Sequence, residues 1–218
     1  MLKLFLTLFV TIPIIADNNL FLLESIKNNE DWVLIDSRSD SLRVYEKEVQ
    51  ELGPLKAFKV EKIIDFNAEL IFKTIMDISQ HANLMPDDDF KSFIIGQKEN
   101  WIYAYSHFSI PFTFIDDRHY IFKIQKVSNN EISWILLNEK EAESNLALRV
   151  IMNQNPGAIY LDYAAGAWKI EPITENLTQV SYALYMDSGG LITDNLNDLF
   201  SSQFIVKFYK QIITHSKN

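Results

Sequence analysis

A chain of 218 residues with 48% hydrophobic and 22% charged side chains suits one folded domain and excludes disordered and fibrous classes. Lys and Arg number 20 against 29 Asp and Glu, net −9, so the cationic footprint that a nucleic-acid binder needs is missing. Cys is absent, which excludes disulfides, thiolate metal sites and thiol nucleophiles.

The first residues read as an export signal. Lys3 precedes an apolar run, Leu4–Ile15, and Ala16 precedes the polar Asp17-Asn18-Asn19. The run is shorter than the roughly 20 residues of a spanning helix. The expected organisation is a signal peptide over residues 1–16 and one domain over residues 17–218, exported to a periplasm or secreted.

Asn18–Asn28 carries Leu20, Leu22, Leu23 and Ile26 and predicts a short helix. Strands are expected over residues 32–35, Ser41–Val49 and Leu55–Ile64. Asn67 reads as the cap of a helix that runs through Ile78. His81–Phe90, with Asp87-Asp88-Asp89, reads as a solvated loop; the central Gly and spacing of a calcium loop are missing. From Ser92 a run of strands follows: 92–96, 101–108, 119–127, 132–137, 146–152, 159–164, 167–173 and 178–186. Turn signals such as Asn155-Pro156-Gly157 separate them, which predicts antiparallel pairing. Asp187-Ser188-Gly189-Gly190 ends the series, and Thr193 or Asp194 opens a long helix to about His215. The fold class is α+β: a curved antiparallel sheet wrapped round one long C-terminal helix, with a cavity between them.

Several segments, in order, resemble the StAR-related lipid-transfer (START) domains of the Bet v 1-like helix-grip superfamily. Tyr103-Ala104-Tyr105 leads through Pro111 to Asp117-Arg118-His119-Tyr120. Gly166-Ala167-Trp168-Lys169-Ile170-Glu171-Pro172 is similar to the Gly-x-Trp-x-x-x-Pro strand of bacterial members. Asp187-Ser188-Gly189-Gly190-Leu191-Ile192 resembles the step into the last helix, where Asn195 or Asn197 stands for an early Asn. His119 and Thr193 replace the Asp and Pro of the family pattern. Tyr105 and Ile124 align with the acid and the Arg that pair inside some sterol-binding members. The resemblance implies a lipid carrier that needs no cofactor and no metal, acts as a monomer and makes transient membrane contact.

Strand alternation gives the candidate cavity wall. Tyr120, Phe122 and Ile124 share one face, as do Trp134 and Leu136, and Tyr182 and Leu184. In the 101–108 strand, aromatics with polar tips favour Tyr103, Tyr105 and His107 as lining, with Tyr105 and His107 orienting a ligand head. Phe200 and Phe204 face the cavity from the long helix, and the two glycines before it suggest a lid hinge at Ser188–Thr193.

None of the four His stands at a metal-ligand spacing, and Asp117, Arg118 and His119, as strand neighbours, point to opposite faces. Two other classes stay open. One is a helix-grip enzyme such as a polyketide cyclase, acting on an apolar or polyketide-like substrate; the other is an interaction module anchored by residues 1–16.

Overall fold

The computed structural model describes residues 18–38, 40–49, 53–85, 89–110, 115–190 and 192–217. The expected signal peptide, Asp87, Asp88, Pro111 and Leu191 lie outside the described residues. Among the described residues, six α-helices and ten strands follow in chain order: α1 (Asn18–Lys27), β1 (Val33–Ser37), β2 (Arg43–Glu48), β3 (Lys56–Ile64), α2 (Ala68–Met76), α3 (His81–Leu84), β4 (Lys91–Lys98), β5 (Trp101–Phe108), β6 (Arg118–Ser128), β7 (Glu131–Leu136), α4 (Glu139–Ser144), α5 (Leu146–Met152), β8 (Ile159–Tyr160), β9 (Tyr163–Thr174), β10 (Leu177–Asp187) and α6 (Asp194–His215).

The strands form one sheet in the order β1-β2-β3-β10-β9-β7-β6-β5-β4. Every pairing along this path is antiparallel. Short β8 departs from that expectation, because it lies parallel to the start of β6 through Arg118↔Ile159 and His119↔Tyr160. The concave face buries Val44, Val60, Val180, Tyr182, Trp168, Trp134 and Phe122 against α2 and α6. On α2, Asn67 Oδ1 accepts from the Glu69 amide at 2.7 Å, as its capping chemistry requires, and Ile71, Phe72 and Ile75 turn inward. The helix stops at Met76 rather than Ile78, and a 3₁₀ turn at Ile78–Gln80 passes into α3, inside the segment expected to be a loop.

α1 covers the convex face. Ala165, Ala167 and Ala183 carry small side chains there, so Leu22, Leu23 and Ile26 pack close to the sheet. Asn19 joins the helix to β7 and β9: its Nδ2 donates to the Leu136 carbonyl at 3.3 Å, and its Oδ1 accepts from the Ala164 amide at 3.1 Å.

Leu146–Met152 is a helix where the alternation predicted a strand. Asn145 Oδ1 caps it by accepting from the Ala147 and Leu148 amides, and Leu148 and Met152, four residues apart, form the buried stripe. Leu146 and Val150 are left exposed, which a strand inside this sheet would not permit. Asn138 caps α4 in the same way.

Gly166 allows one further close approach. It faces inward opposite Trp134, and a methyl built on it would overlap the indole Nε1 and Cε2 atoms. Gly166→Ala is expected to lower stability by about 1–3 kcal/mol, the usual cost of overpacking. A urea midpoint within error of the parent would contradict this close packing.

Candidate ligand cavity

The bent sheet does not close on α6 along its whole length. Near the first half of the helix the gap opens into two adjoining hollows. The inner one, about 40 Å³, is walled by Tyr120, Phe122 and Ile124 of β6, Trp134 of β7, Trp168 of β9, and Tyr182 and Leu184 of β10. Ile75, His81, Phe204 and Phe208 close it from the helical side. The outer one, about 250 Å³, opens at the rim between Met85, Phe90, Phe108 to Ile110, the end of β10, and Phe200, Gln203, Phe204 and Lys207 of α6. Phe90, Met186 and Phe204 border both, so a ligand entering at the rim meets these three before it reaches the inner wall.

The inner wall is held by aromatic geometry. Trp168 stacks on Tyr182 with centroids 4.1 Å apart and planes 10° from parallel, and lies parallel to Tyr209 at 5.8 Å. Trp134 Nε1 donates to the Tyr182 hydroxyl at 3.1 Å, and the Tyr209 hydroxyl donates to the Val180 carbonyl at 3.0 Å. Each polar tip is thereby satisfied inside an apolar wall. Burial pushes the Tyr120 phenol up to about 12 and Tyr182 higher still, so both stay neutral in water at ordinary pH.

Of the residues expected from alternation, Tyr120, Phe122, Ile124, Trp134, Tyr182, Leu184 and Phe204 border the inner hollow, and Phe200 and Phe204 the outer one. Leu136 faces the same side and is buried in the core, opposite Phe122, but borders neither hollow. Tyr103, Tyr105 and His107 are on the other face of the sheet. The register decides this. Ala104 opposes Phe122 and Ser106 opposes Tyr120, so the even residues of β5 look inward; Tyr105 opposes Ile121 and His107 opposes His119. Directly paired residues of an antiparallel ladder share a face. Ser106 therefore supplies the inner wall from β5. Met186, which alternation puts on the same face as Tyr182 and Leu184, borders both hollows. Sequence reasoning missed Trp168, Phe208, Gln203 and Lys207; the alternation of Trp168 with Ile170 carried the signal for the first.

Outside the cavity, Tyr105, His107 and His119 form a polar seam beneath residues 138–160. The Tyr105 hydroxyl accepts from Asn155 Nδ2 at 2.8 Å and is hydrogen-bonded to His119 Nδ1 at 3.2 Å. His107 Nε2 meets Asp117 Oδ2 at 3.3 Å. Tyr160 packs its edge on His119 and donates to the Leu137 carbonyl at 2.8 Å. These contacts fasten the outer layer to the sheet; none reaches the hollows.

The turn before α6 is clamped where a hinge was expected. Gly189 and Gly190 have φ of 63° and 68°, which their lack of Cβ permits. Buried Arg118 donates through Nε to the Ser188 carbonyl at 2.6 Å, through Nη2 to the Gly189 carbonyl at 3.1 Å, and through Nη1 to the carbonyls of Asp116 and Asp117. Asn197 Oδ1 accepts from the Ser188 amide at 3.0 Å while its Nδ2 donates to the Met186 carbonyl at 2.9 Å. One guanidinium thus holds the carbonyls of both Ser188 and Gly189.

His81 makes the fold acid-sensitive. It is buried, its Nε2 lies 3.0 Å from the Ile75 carbonyl, and its ring meets the edge of Phe208. Burial pushes its pKa from 6.5 down to about 4. Because the folded value lies below the unfolded one, full stability is present above pH 6.5 and is lost as pH falls toward 4, by about 3 kcal/mol. His107 and His119, also lowered mainly by burial, act in the same direction, whereas Asp187 and Asp198, raised mainly by burial, act against it as the pH falls. Urea midpoints between pH 7.5 and 4.5 are expected to fall less steeply for His81→Phe than for the parent; parallel slopes would refute the assignment.

No protein-family model and no curated protein matches the sequence. Solved structures do. A STAR-related lipid transfer protein from Xanthomonas axonopodis superposes with a TM-score of 0.66 at 18% identity, over 87% of this chain and 100% of that one. The fold is that of the START domains. Human StAR-related lipid transfer protein 5 gives a TM-score of 0.67 at 13% identity, covering 90% of this chain and 91% of its own. A START superfamily protein from Mycobacterium smegmatis gives 0.54 at 10% identity, covering 74% of this chain and 97% of its own. The START fold here has its Gly166-to-Pro172 segment in β9, where Trp168 borders the inner hollow and Gly166 lies against the Trp134 indole, and Asn197 as the Asn that ties α6 to β10. Ile124 borders the hollow while Tyr105 turns away, so the two positions aligned above lie on opposite faces of the sheet. Among the described residues, no group of three His, Asp or Glu could hold a metal, and no helix is long and apolar enough to cross a membrane.

Proposed function

We infer that the protein binds an apolar ligand between the concave sheet and α6 and carries it through water. The observation that carries this reading is the outer hollow, an apolar space of about 250 Å³ with a rim, in a region where a domain of this size would otherwise be filled. Each CH₂ taken from water contributes about 0.8 kcal/mol, so an acyl chain is retained by shape with few polar contacts. The lipid-transfer names of the structural neighbours support the ligand class. The non-catalytic part of the reading rests on side-chain placement: His107, His119 and Asp117 are grouped on the convex side, away from the hollows. The Lys3-led apolar run of Leu4–Ile15 supports export of the chain.

Purified protein analysed by native mass spectrometry, then by organic extraction, is expected to carry an apolar molecule and to move it between donor and acceptor vesicles. Protein that takes up no apolar compound from vesicles or detergent-free solution overturns the carrier reading. The mass of the N-terminus of the mature chain tests export separately.

A further inference from the structure

We propose that Phe204 is a partition that sets ligand length, so that the protein selects a single apolar chain of medium length, roughly ten carbons, over longer-chain and two-chain lipids. This deepens the carrier reading and rests on it.

Placement gives the first argument. Phe200, Phe204 and Phe208 recur every four residues on α6 and form one stripe, each step about 6 Å along the helix axis. Phe200 borders the outer hollow, Phe208 the inner one, and Phe204 both. Rings on either side hold Phe204 at that boundary. It lies 5.7 Å from Phe208 with planes 8° from parallel, and tilts against Phe108 at 6.2 Å and Phe90 at 6.3 Å. Phe108 belongs to the outer hollow and Phe208 to the inner, so the Phe204 ring stands between the two spaces. Met186 shares the boundary, but an unbranched thioether adapts its shape to what lies against it. Phe204 is the stiff member.

Space gives the second. An apolar cavity of about 150 Å³ accepts benzene, a six-carbon ring. On that scale the outer hollow, about 250 Å³, has room for roughly ten carbons. The inner hollow, about 40 Å³, has room for no more than about two. Behind it Trp168 stacks on Tyr182, which the Trp134 hydrogen bond fixes in place, and closes the end. A longer chain must therefore push Phe204 off its neighbouring rings or leave its remaining methylenes in water. A second chain finds no volume in either hollow.

The test is titration of the protein with hexanol, octanol, decanol, dodecanol and tetradecanol, whose heads are all alike, and with vesicles of dioleoylphosphatidylcholine. Binding is followed through tryptophan emission and native mass spectrometry. Affinity of the parent is expected to rise about fourfold per methylene up to decanol and then to level off. In Phe204→Ala the two hollows join, and the break is expected to move up by about three carbons. In Phe204→Trp the larger ring is expected to move it down by about two. If the Ala variant is too destabilised to titrate, the downward shift in the Trp variant decides. Affinity that keeps climbing through tetradecanol in the parent, a break that stays in place or moves the same way in both variants, or extraction of dioleoylphosphatidylcholine from the vesicles overturns the proposal. Failure of every alkanol and of the vesicle lipid to bind overturns the carrier reading itself.

Discussion

Arg118→Met is expected to lower the thermal midpoint by roughly 10 °C, equivalent to about 3–5 kcal/mol in a domain of this size. The guanidinium is 1% exposed and satisfies carbonyls from both ends of a corner that the chain makes twice, at Asp116-Asp117 and at Ser188-Gly189. Methionine fills a similar volume but donates nothing, so those buried carbonyls lose partners that contribute more than neutral ones. Lys is expected to recover little, because one ammonium cannot span carbonyls that the planar fork reaches together. Hydrogen exchange should rise first at Ser188, Gly189 and the first turn of α6. A midpoint within about 2 °C of the parent would show that the corner holds without its clamp.

Trp168→Ala is expected to cost about 3–5 kcal/mol in urea unfolding. The indole is 1% exposed, stacks on Tyr182, lies parallel to Tyr209 and tilts against Phe208, so its removal strips three rings of their neighbour at once. The space it leaves adjoins the inner hollow, and little backbone is free to collapse into it, since β9 is paired on both sides. Trp168→Phe should retain most of the stability and enlarge the inner end. A loss below about 1 kcal/mol for the Ala variant would mean that the stack contributes shape alone.

The contrast between β6 and β5 shows what was legible before coordinates. In β6, Tyr120, Phe122 and Ile124 alternate with Lys123 and Gln125, so a charge marks the solvent side and the inward face follows. In β5, both faces carry uncharged bulk, because one looks into the cavity and the other is roofed by residues 138–160; only pairing with β6 tells them apart. The helix at Leu146–Met152 was hidden for a similar reason. Seven mostly apolar residues satisfy either period, and the deciding signal was Asn145, a cap placed one residue before the run. The hollow itself has no local signature. It arises because Gly166 lets Trp134 pack closely on β9 while Phe200 and Phe204 border the outer space from α6, a relation among residues far apart in sequence.

The strand order also bears on how this chain is made. β3 finds its second neighbour only in β10, Phe58 beside Leu184, so the sheet is not continuous until β10 has been made. Before that moment the greasy side chains of the early strands have no lasting cover, and a nascent chain leaving the ribosome exposes them to chaperones and proteases. Truncation before β10 is therefore expected to give a fragment prone to aggregation rather than a smaller working domain.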